Sequence, residues 1–287
     1  MANSTTGQEV CVGVDPRDPS VPVLAWAAEE AERRGLPLRL VLSVPHDTQH
    51  VDTSPHHMAL QAQGLQTLAT AAETVLRITP QVRVETELVD GMPAAVLCQR
   101  AASGASIVVV GSRRLTRAGE ILSAGSVTVP LSARADCPVV VVREPEHTAD
   151  IPGHLIVGVD GSASSQAAVA FAVEEAGLRR ASVHAVWVWQ RPVITFGDEE
   201  AALAERDSVL AETIEGWTDR YPDVEVTREV RQGHPVEELA RASATALAVV
   251  VGRRGRGGYT GMRLGSVVHG LLHRAECPVI TVPATGD

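Results

Sequence analysis

Short runs of apolar, mostly β-branched residues alternate along the chain with longer amphipathic stretches. Residues 155–159, 182–189 and 246–251 are such runs. Apolar runs without regular polar alternation indicate strands buried on both faces, and helical patterns between them indicate crossover helices over a parallel sheet. The pattern therefore predicts an α/β fold, an open α/β sandwich with helices on both faces of the sheet.

The second half of the chain shows every predicted element. Further strands are expected over 224–230 and 277–282, and helices over 163–178, 199–217, 235–243 and 267–273. Proline at position 235 suits the first turn of a helix. The helix over 163–178 has an apolar face, which we expect to contain Ala167, Ala170, Phe171, Val173 and Ala176.

The same pattern occurs twice. Ile156–Asp160 repeats Cys11–Asp15 at an offset of 145 residues, and Ala275–Val279 repeats Ala135–Val139 at an offset of 140. Three more segments between them align in the same order. Ordered self-similarity of this kind identifies a duplicated domain.

We therefore expect two tandem domains, over residues 1–144 and 154–287, each with a five-stranded parallel sheet. The stretch 143–153 is polar, carries two prolines and has the composition of a linker. The net charge of −10 divides evenly, because 12 arginines against 17 acids in residues 1–150 and 13 against 18 in the rest give −5 each. This acidic balance argues against nucleic-acid binding.

All 25 basic residues are arginine, which excludes a phosphate-binding or Schiff-base lysine.

No apolar run is long enough to span a membrane. The first ten residues have neither a basic n-region nor an apolar h-region, which favours a cytoplasmic location. The four cysteines, which form no CxxC pair, argue against a zinc site or a disulfide framework; they are Cys11, Cys98, Cys137 and Cys277.

A glycine loop, residues 252–266, follows the predicted fourth strand of the second domain and contains six glycines in 15 residues. Glycine lets successive backbone N–H groups approach a ligand closely. The loop leads into a helix N-terminus, which favours an anion. Ser266 is placed to cap that helix or to offer its hydroxyl to a phosphate. Positive charge comes from Arg253, Arg254, Arg256 and Arg263. The loop therefore predicts a polyphosphate site.

The glycine loop resembles the Gly-x2-Gly-x9-Gly-Ser/Thr pattern of ATP-binding universal stress proteins. Gly252, Gly255, Gly265 and Ser266 occupy its four fixed positions. The resemblance extends to a first strand ending in Val-Gly-Val-Asp-Gly-Ser and to a Cys-Pro-Val fifth strand, and covers nearly the whole chain. It implies the strand order 3-2-1-4-5, pairing of the two domains through their fifth strands, and ATP, with or without Mg²⁺, as the ligand. Homodimerisation of the chain is left open.

The resemblance also implies roles for individual residues. Asp160 would lie at the adenine and ribose end, the backbone at Val188 would contact adenine, and the glycine loop would hold ribose and phosphates. The sequence Val-Trp-Val-Trp around Val188 also aligns one residue either way. The expected nucleotide-binding residues are Asp160, Gly161, Val188, Gly252, Arg253, Gly255, Gly265, Ser266 and Val267.

The first domain departs from this pattern in the stretch Gly111–Ser126. Arg114 replaces the second glycine, ten rather than nine residues precede Gly125, and Glu120 adds a negative charge. Pro16 follows the first-strand aspartate and lacks an N–H donor. We therefore expect ATP binding in the second domain and weak or no binding in the first.

Other candidate residues have simpler explanations. Cys137 and Cys277, at the start of the fifth strands, are expected to be small core residues rather than redox switches. The pair His269 and His273 is expected to be solvated, since no third metal ligand is apparent. Four more histidines are expected in a polar loop rather than a metal site; they are His46, His50, His56 and His57.

These observations favour a nucleotide-dependent stress-response or signalling regulator that holds ATP with little or no hydrolysis. Bound ATP would stabilise the loop and so bias a conformation or a partner-binding surface. Two alternatives stay open: a slow ATPase or a nucleotidyl- or phosphotransferase, and a cyclic-AMP-binding or non-nucleotide scaffold protein.

Overall fold

The computed structural model describes residues 8–17, 19–45, 54–112, 127–143, 153–190, 199–256 and 263–284. The chain divides into two compact units, unit 1 (Met1–Glu144) and unit 2 (Pro145–Asp287). Among the described residues, no helix is long and apolar enough to cross a membrane.

Unit 1 contains a parallel sheet between two layers of helices. Its strands are β1 (Glu9–Gly13), β2 (Leu38–Val44), β3 (Val84–Asp90), β4 (Ala105–Ser112) and β5 (Val139–Arg143), in the order β3-β2-β1-β4-β5. One layer is formed by α1 (Val21–Arg34) and α2 (Pro55–Ile78), the other by α3 (Pro93–Ala102) and α4 (Thr128–Arg134).

Unit 2 repeats this architecture. Its strands are β6 (His154–Gly158), β7 (Ser182–Trp189), β8 (Val226–Gln232), β9 (Ala248–Gly252) and β10 (Val279–Val282), in the order β10-β9-β6-β7-β8. Its helices are α5 (Ala163–Arg179) with α6 (Glu199–Arg220), and α7 (Pro235–Ser243) with α8 (Ser266–Arg274). Each unit thus has the strand order 3-2-1-4-5, and the expected fold class is confirmed.

The central strands form the core, as their apolar runs predict. In β6, Leu155, Ile156 and Val157 are at most 1% exposed. Burial of each such side chain stabilises the fold by about 1.5–3 kcal/mol. Because both faces of a central strand are covered by helices, its sequence shows no polar alternation.

The buried face of α5 differs from the predicted one. Ala167, Ala170 and Phe171 are only partly buried. The reason is that the buried face includes Glu175, a charged residue that is fully buried and paired with Arg179 one turn later, so hydrophobicity alone places the face wrongly. The apolar residues buried on α5 are Ala168, Val169, Ala172, Val173 and Ala176.

Two of the four histidines expected in a polar loop lie instead in the first turn of α2. Ser54 caps this helix, since its hydroxyl accepts a hydrogen bond from the backbone N–H of His57, and Pro55 follows at the first helical position. The His57 side chain is buried, with Nε2 3.2 Å from Asp90 Oδ1. His46 and His50 lie outside the described residues.

Three of the four cysteines are buried, namely Cys11, Cys137 and Cys277, and Cys98 is half-buried. Burial raises the pKa of Cys137 and of Cys277 to about 12. Because the thiolate is the reactive form, both residues are inert in the folded protein.

We expect alkylation of the native protein at pH 8 to modify Cys98 first and to leave the three buried thiols unmodified. Peptide mass spectrometry after treatment with N-ethylmaleimide measures this, and the same reaction in guanidinium chloride, in which all four react, is the control. Labelling of Cys277 as fast as Cys98 would contradict the buried environment.

Candidate functional site

The candidate site lies at the carboxyl edge of the sheet of unit 2. There β6 has β7 on one side and β9 on the other, and the crossovers from β6 and β9 run through helices in opposite layers. Ligands bind open parallel sheets at such a point. Asp160 follows β6, Val188 lies near the end of β7, and the glycine loop, described at 252–256 and 263–266, follows β9.

The carboxylate of Asp160 connects the end of β6 to the glycine loop. Its Oδ1 accepts the backbone N–H of Ser162 at 3.0 Å, and its Oδ2 accepts the backbone N–H of Arg256 at 2.7 Å. A β-carbon on Gly255 would lie 2.4 Å from the same Oδ2. The loop reaches the carboxylate only because residue 255 has no side chain.

Gly252 brings the start of the loop against the first turn of α5. A β-carbon at this position would lie 2.5 Å from the carbonyl carbon of Ser164 and 2.6 Å from its oxygen. Ser162 caps this helix by accepting the N–H of Ser165 at 3.1 Å. The contact is thus between two backbones, and neither can move without disturbing its own element.

Backbone hydrogen bonds hold the two ends of the glycine loop together. The N–H of Arg253 donates to the carbonyl of Val282 at 2.8 Å, and the Arg253 carbonyl accepts the N–H of Gly265 at 2.9 Å. Arg253 itself is buried. Its backbone therefore joins β10, the loop and the start of α8.

The N-terminus of α8 has no capping side chain in the described part of the chain. Gly265 is the N-cap residue, with φ −68° and ψ 150°, and Ser266 is the first helical residue. Of the two roles expected of Ser266, that of helix cap is wrong, because the extended backbone of Gly265 takes that place; the other, offering its hydroxyl to a phosphate, stays a prediction. The first-turn N–H groups of Ser266 and Val267 lack an intrahelical partner, as in any helix, and are suited to bind an anion.

Beside Asp160, Arg256 and Trp187 make a contact that the sequence did not predict, since it marked Arg256 only as a positive charge of the loop. The guanidinium carbon of Arg256 lies 5.9 Å from the ring centroid of Trp187. Gly161 has φ +74°, and a β-carbon there would lie 3.0 Å from Arg256 Nη2. Glycine is therefore favoured at position 161 by the left-handed backbone, whereas the guanidinium of the exposed Arg256 could shift to admit a β-carbon.

The register of β7 distinguishes Val188 from its neighbours. The carbonyl of Val186 accepts the N–H of Val159, and that of Trp189 accepts the N–H of Gly233 after β8. Because N–H and C=O groups of a strand point alternately to its two sides, the backbone of Val188 points to the β6 side, as does that of Val186. The pairing of β6 with β7 ends at Gly158 and Val186, so no β6 residue pairs with Val188. Val188 thus directs its backbone polar groups into the crevice.

Unit 1 has a different turn at the equivalent edge. Asp15 Oδ1 accepts the N–H of Arg17 at 2.8 Å, as Asp160 does with Ser162. Pro16, however, stands where unit 2 has Gly161 at positive φ, a conformation that the proline ring forbids. The segment with Arg114, Glu120 and Gly125 lies outside the described residues.

Comparisons with known proteins agree along nearly the whole chain. The model of the universal stress protein family matches residues 7–143 and 153–283. Universal stress protein Rv2005c of Mycobacterium tuberculosis is 35% identical over 286 residues, which cover 94% of this chain and 95% of that protein. Universal stress protein Rv2623 of the same organism is 33% identical, with 98% of each chain covered. The fold is shared with a crystal structure of a universal stress protein from Archaeoglobus fulgidus, which is 19% identical with a TM-score of 0.73 over 97% of each chain.

Proposed function

Because this chain belongs to the universal stress protein family and carries two of its domains in tandem, we propose that it is a regulator whose unit 2 binds ATP. The observation that carries the proposal is the contact of Asp160 with the glycine loop, in which one carboxylate joins β6 to the segment leading to α8. This contact places an acceptor, a glycine-lined backbone and a helix N-terminus at one edge of the sheet.

The phosphates would be held by the start of α8. The N–H groups of Ser266 and Val267 and the helix dipole favour negative charge there. The guanidinium groups of Arg256 and Arg263 add positive charge on the exposed parts of the loop. In a chain without lysine, the positively charged side chains for this binding are arginines.

The nucleoside would lie between Asp160 and Val188. A carboxylate can accept about four hydrogen bonds, and Asp160 accepts two from the backbone, so it can still accept from the ribose hydroxyls. The backbone N–H and C=O of Val188 would pair with the edge of the adenine. Trp187 and Arg256, beside Asp160, would border the same pocket.

Asp160 is placed to position groups rather than to activate water. Both of its oxygens hold backbone N–H groups of the turn and the loop, so the carboxylate cannot move toward a phosphate without releasing the loop. We therefore propose ATP binding with little or no hydrolysis, and Mg²⁺ only as a counter-ion of the phosphates. A cytoplasmic location and pairing of the units through their fifth strands stay predictions.

Isothermal titration of the full chain with ATP, ADP, AMP and cyclic AMP tests the proposal. We expect one ATP per chain, with affinity falling as phosphates are removed, because α8 holds the phosphates. Phosphate release, measured in parallel with Mg²⁺, should stay near the rate of the free nucleotide. Two sites of similar affinity per chain, equal affinity for ATP and AMP, or sustained turnover would each contradict it.

A further inference from the structure

One helix of unit 1 presents apolar side chains to solvent along most of its length. We call this row of α2 the apolar seam. Its three large members, Met58, Leu65 and Leu76, are 55%, 59% and 44% exposed. The spacings alternate regularly between four and three residues, which is the pattern of a helix–helix seam. The seam consists of Met58, Ala62, Leu65, Ala69, Ala72 and Leu76.

The apolar seam is not the face by which α2 packs on its own unit. The helix rests on β2 and β3, with Leu68 and Val75 at most 2% exposed. With 3.6 residues per turn, the seam lies roughly a quarter turn around the helix from these residues. The core of unit 1 is therefore complete without it, and the seam faces outward beside the edge strand β3.

The equivalent helix of unit 2 shows that this fold does not require an apolar row at these positions. An offset of 142 residues aligns Leu68 of α2 with Leu210 of α6, and both are buried. The same offset places Asp207 where α2 has Leu65, and Asp207 binds Arg228 of β8 at 3.2 Å. The counterparts of Met58 and Leu76 are Glu200 and Thr218. The three alanines of the seam align with Ala204, Ala211 and Ile214, so it is the large exposed members that distinguish unit 1.

The charge distribution favours a second copy of the chain as the occupant. The protein has a net charge of −10, so two copies repel each other over most of their surface. Residues 55–72 contain no Asp, Glu, Lys or Arg. Over these 18 residues the helix offers no charge by which a foreign partner could be selected, and its two charged residues, Glu73 and Arg77, lie in the last turns. The uncharged stretch provides a face on which two acidic chains can meet.

We propose that the chain forms a homodimer in which two apolar seams pack antiparallel around a two-fold axis. If the two-fold axis passes midway between Leu65 and Ala69, Leu65 lies opposite the partner's Ala69 and Met58 lies opposite the partner's Leu76. In the middle of the seam a large side chain therefore faces a small one, and each contact occurs twice, as a two-fold axis requires. A parallel arrangement would place leucine against leucine and alanine against alanine.

The length of the apolar seam sets the expected strength of the dimer. From Met58 to Leu76 the helix rises about 27 Å, at 1.5 Å per residue. One pair of helices of this length gives an interface at the lower end of specific complexes, below about 1,200 Å². The dimer is therefore concentration-dependent, with dissociation in the micromolar range, and it does not depend on a nucleotide.

Sedimentation velocity of the full chain, from about 1 to about 200 µM to bracket a weak interface, tests the proposal. We expect the natural chain to dimerise, and Ala62→Glu and Leu65→Glu to weaken the dimer at least tenfold. The matched control is Ala204→Glu, which places the same substitution at the equivalent exposed position of α6 and should leave the dimer unchanged. Because all three positions are on exposed helix faces, the melting temperatures should stay close to that of the natural chain.

Disulfide cross-linking tests the antiparallel register. In a chain with Cys98 replaced by Ser, we expect a mixture of the Met58→Cys and Leu76→Cys proteins to form the mixed disulfide in preference to either homodimer. Homodimer cross-links alone would mean a parallel arrangement and would overturn the register. Three results would overturn the surface itself: a monomer at every concentration, equal effects of Ala62→Glu and Ala204→Glu, or a dimer that Leu65→Glu leaves intact.

Discussion

Replacing Gly252 by alanine is expected to destabilise unit 2 and to abolish its nucleotide binding. The new β-carbon would lie 2.5 Å from the Ser164 carbonyl carbon, a backbone atom in the first turn of α5. Overpacking against rigid atoms costs about 1–3 kcal/mol, and we expect the upper end because no rotamer change relieves the contact. The loop would have to move off α5, which separates the groups that bind the nucleotide.

Gly111→Ala provides the matched control for this substitution. Gly111 is the second-last residue of β4 and Gly252 the last of β9, but among the described residues a β-carbon on Gly111 would meet only a methyl group of Val23, at 3.0 Å. A small shift of this side chain relieves the contact, so the cost should stay below about 1 kcal/mol. Differential scanning calorimetry of both variants measures the difference, and equal loss of stability would show that the contact with α5 is not decisive.

Asp160→Ala is expected to lower the affinity for ATP by about tenfold to a hundredfold. The substitution removes the acceptor for the N–H groups of Ser162 and Arg256, so that the loop loses its connection to β6. Hydrogen bonds to a charged group contribute about 1.5–3 kcal/mol each, and each 1.4 kcal/mol is tenfold in affinity. The loss therefore combines a less ordered loop with the absent contact to ribose.

Asp15→Ala is the control for Asp160→Ala. It removes the equivalent carboxylate of unit 1, which accepts the N–H of Arg17, and should leave titration with ATP unchanged. An equal loss of affinity in both variants would mean that unit 1 takes part in binding. Unchanged affinity of Asp160→Ala would show that the loop is held without the carboxylate.

The predicted fold follows from local patterns and is reproduced closely. Buried strands such as Leu155–Val157 are apolar on both faces, and a repeat at nearly constant offset reveals the duplication without any structure. The errors are local. Hydrophobicity places the face of α5 wrongly because Glu175 is buried in an ion pair. Polarity predicts a loop at His57, although Ser54 and Pro55 are typical of a helix start.

The sequence motif predicts where the candidate site lies but not the contacts that form it. The motif marks Gly252, Gly255 and Gly265 but gives no reason for each. In the structure, a β-carbon on Gly252 would clash with the backbone of α5, and one on Gly255 would clash with the carboxylate of Asp160. A β-carbon on Gly265 would make no such clash, because its nearest neighbour would be the carbonyl oxygen of Arg253 at 3.4 Å. Which glycine is sterically essential depends on what lies opposite, and that residue is distant in the sequence.

The sequence by itself determined the class of the fold, the duplication and the position of the glycine loop, because periodicity, repeats and composition are properties of neighbouring residues. Only the tertiary structure decided that Asp160 holds the backbone of Arg256, 96 residues away, and that Val188 rather than Trp187 or Trp189 points its backbone into the crevice. It also decided that one side of α2 stays exposed. Strand order, register and the direction of each side chain arise when the sheet assembles, so these contacts cannot be deduced from local sequence.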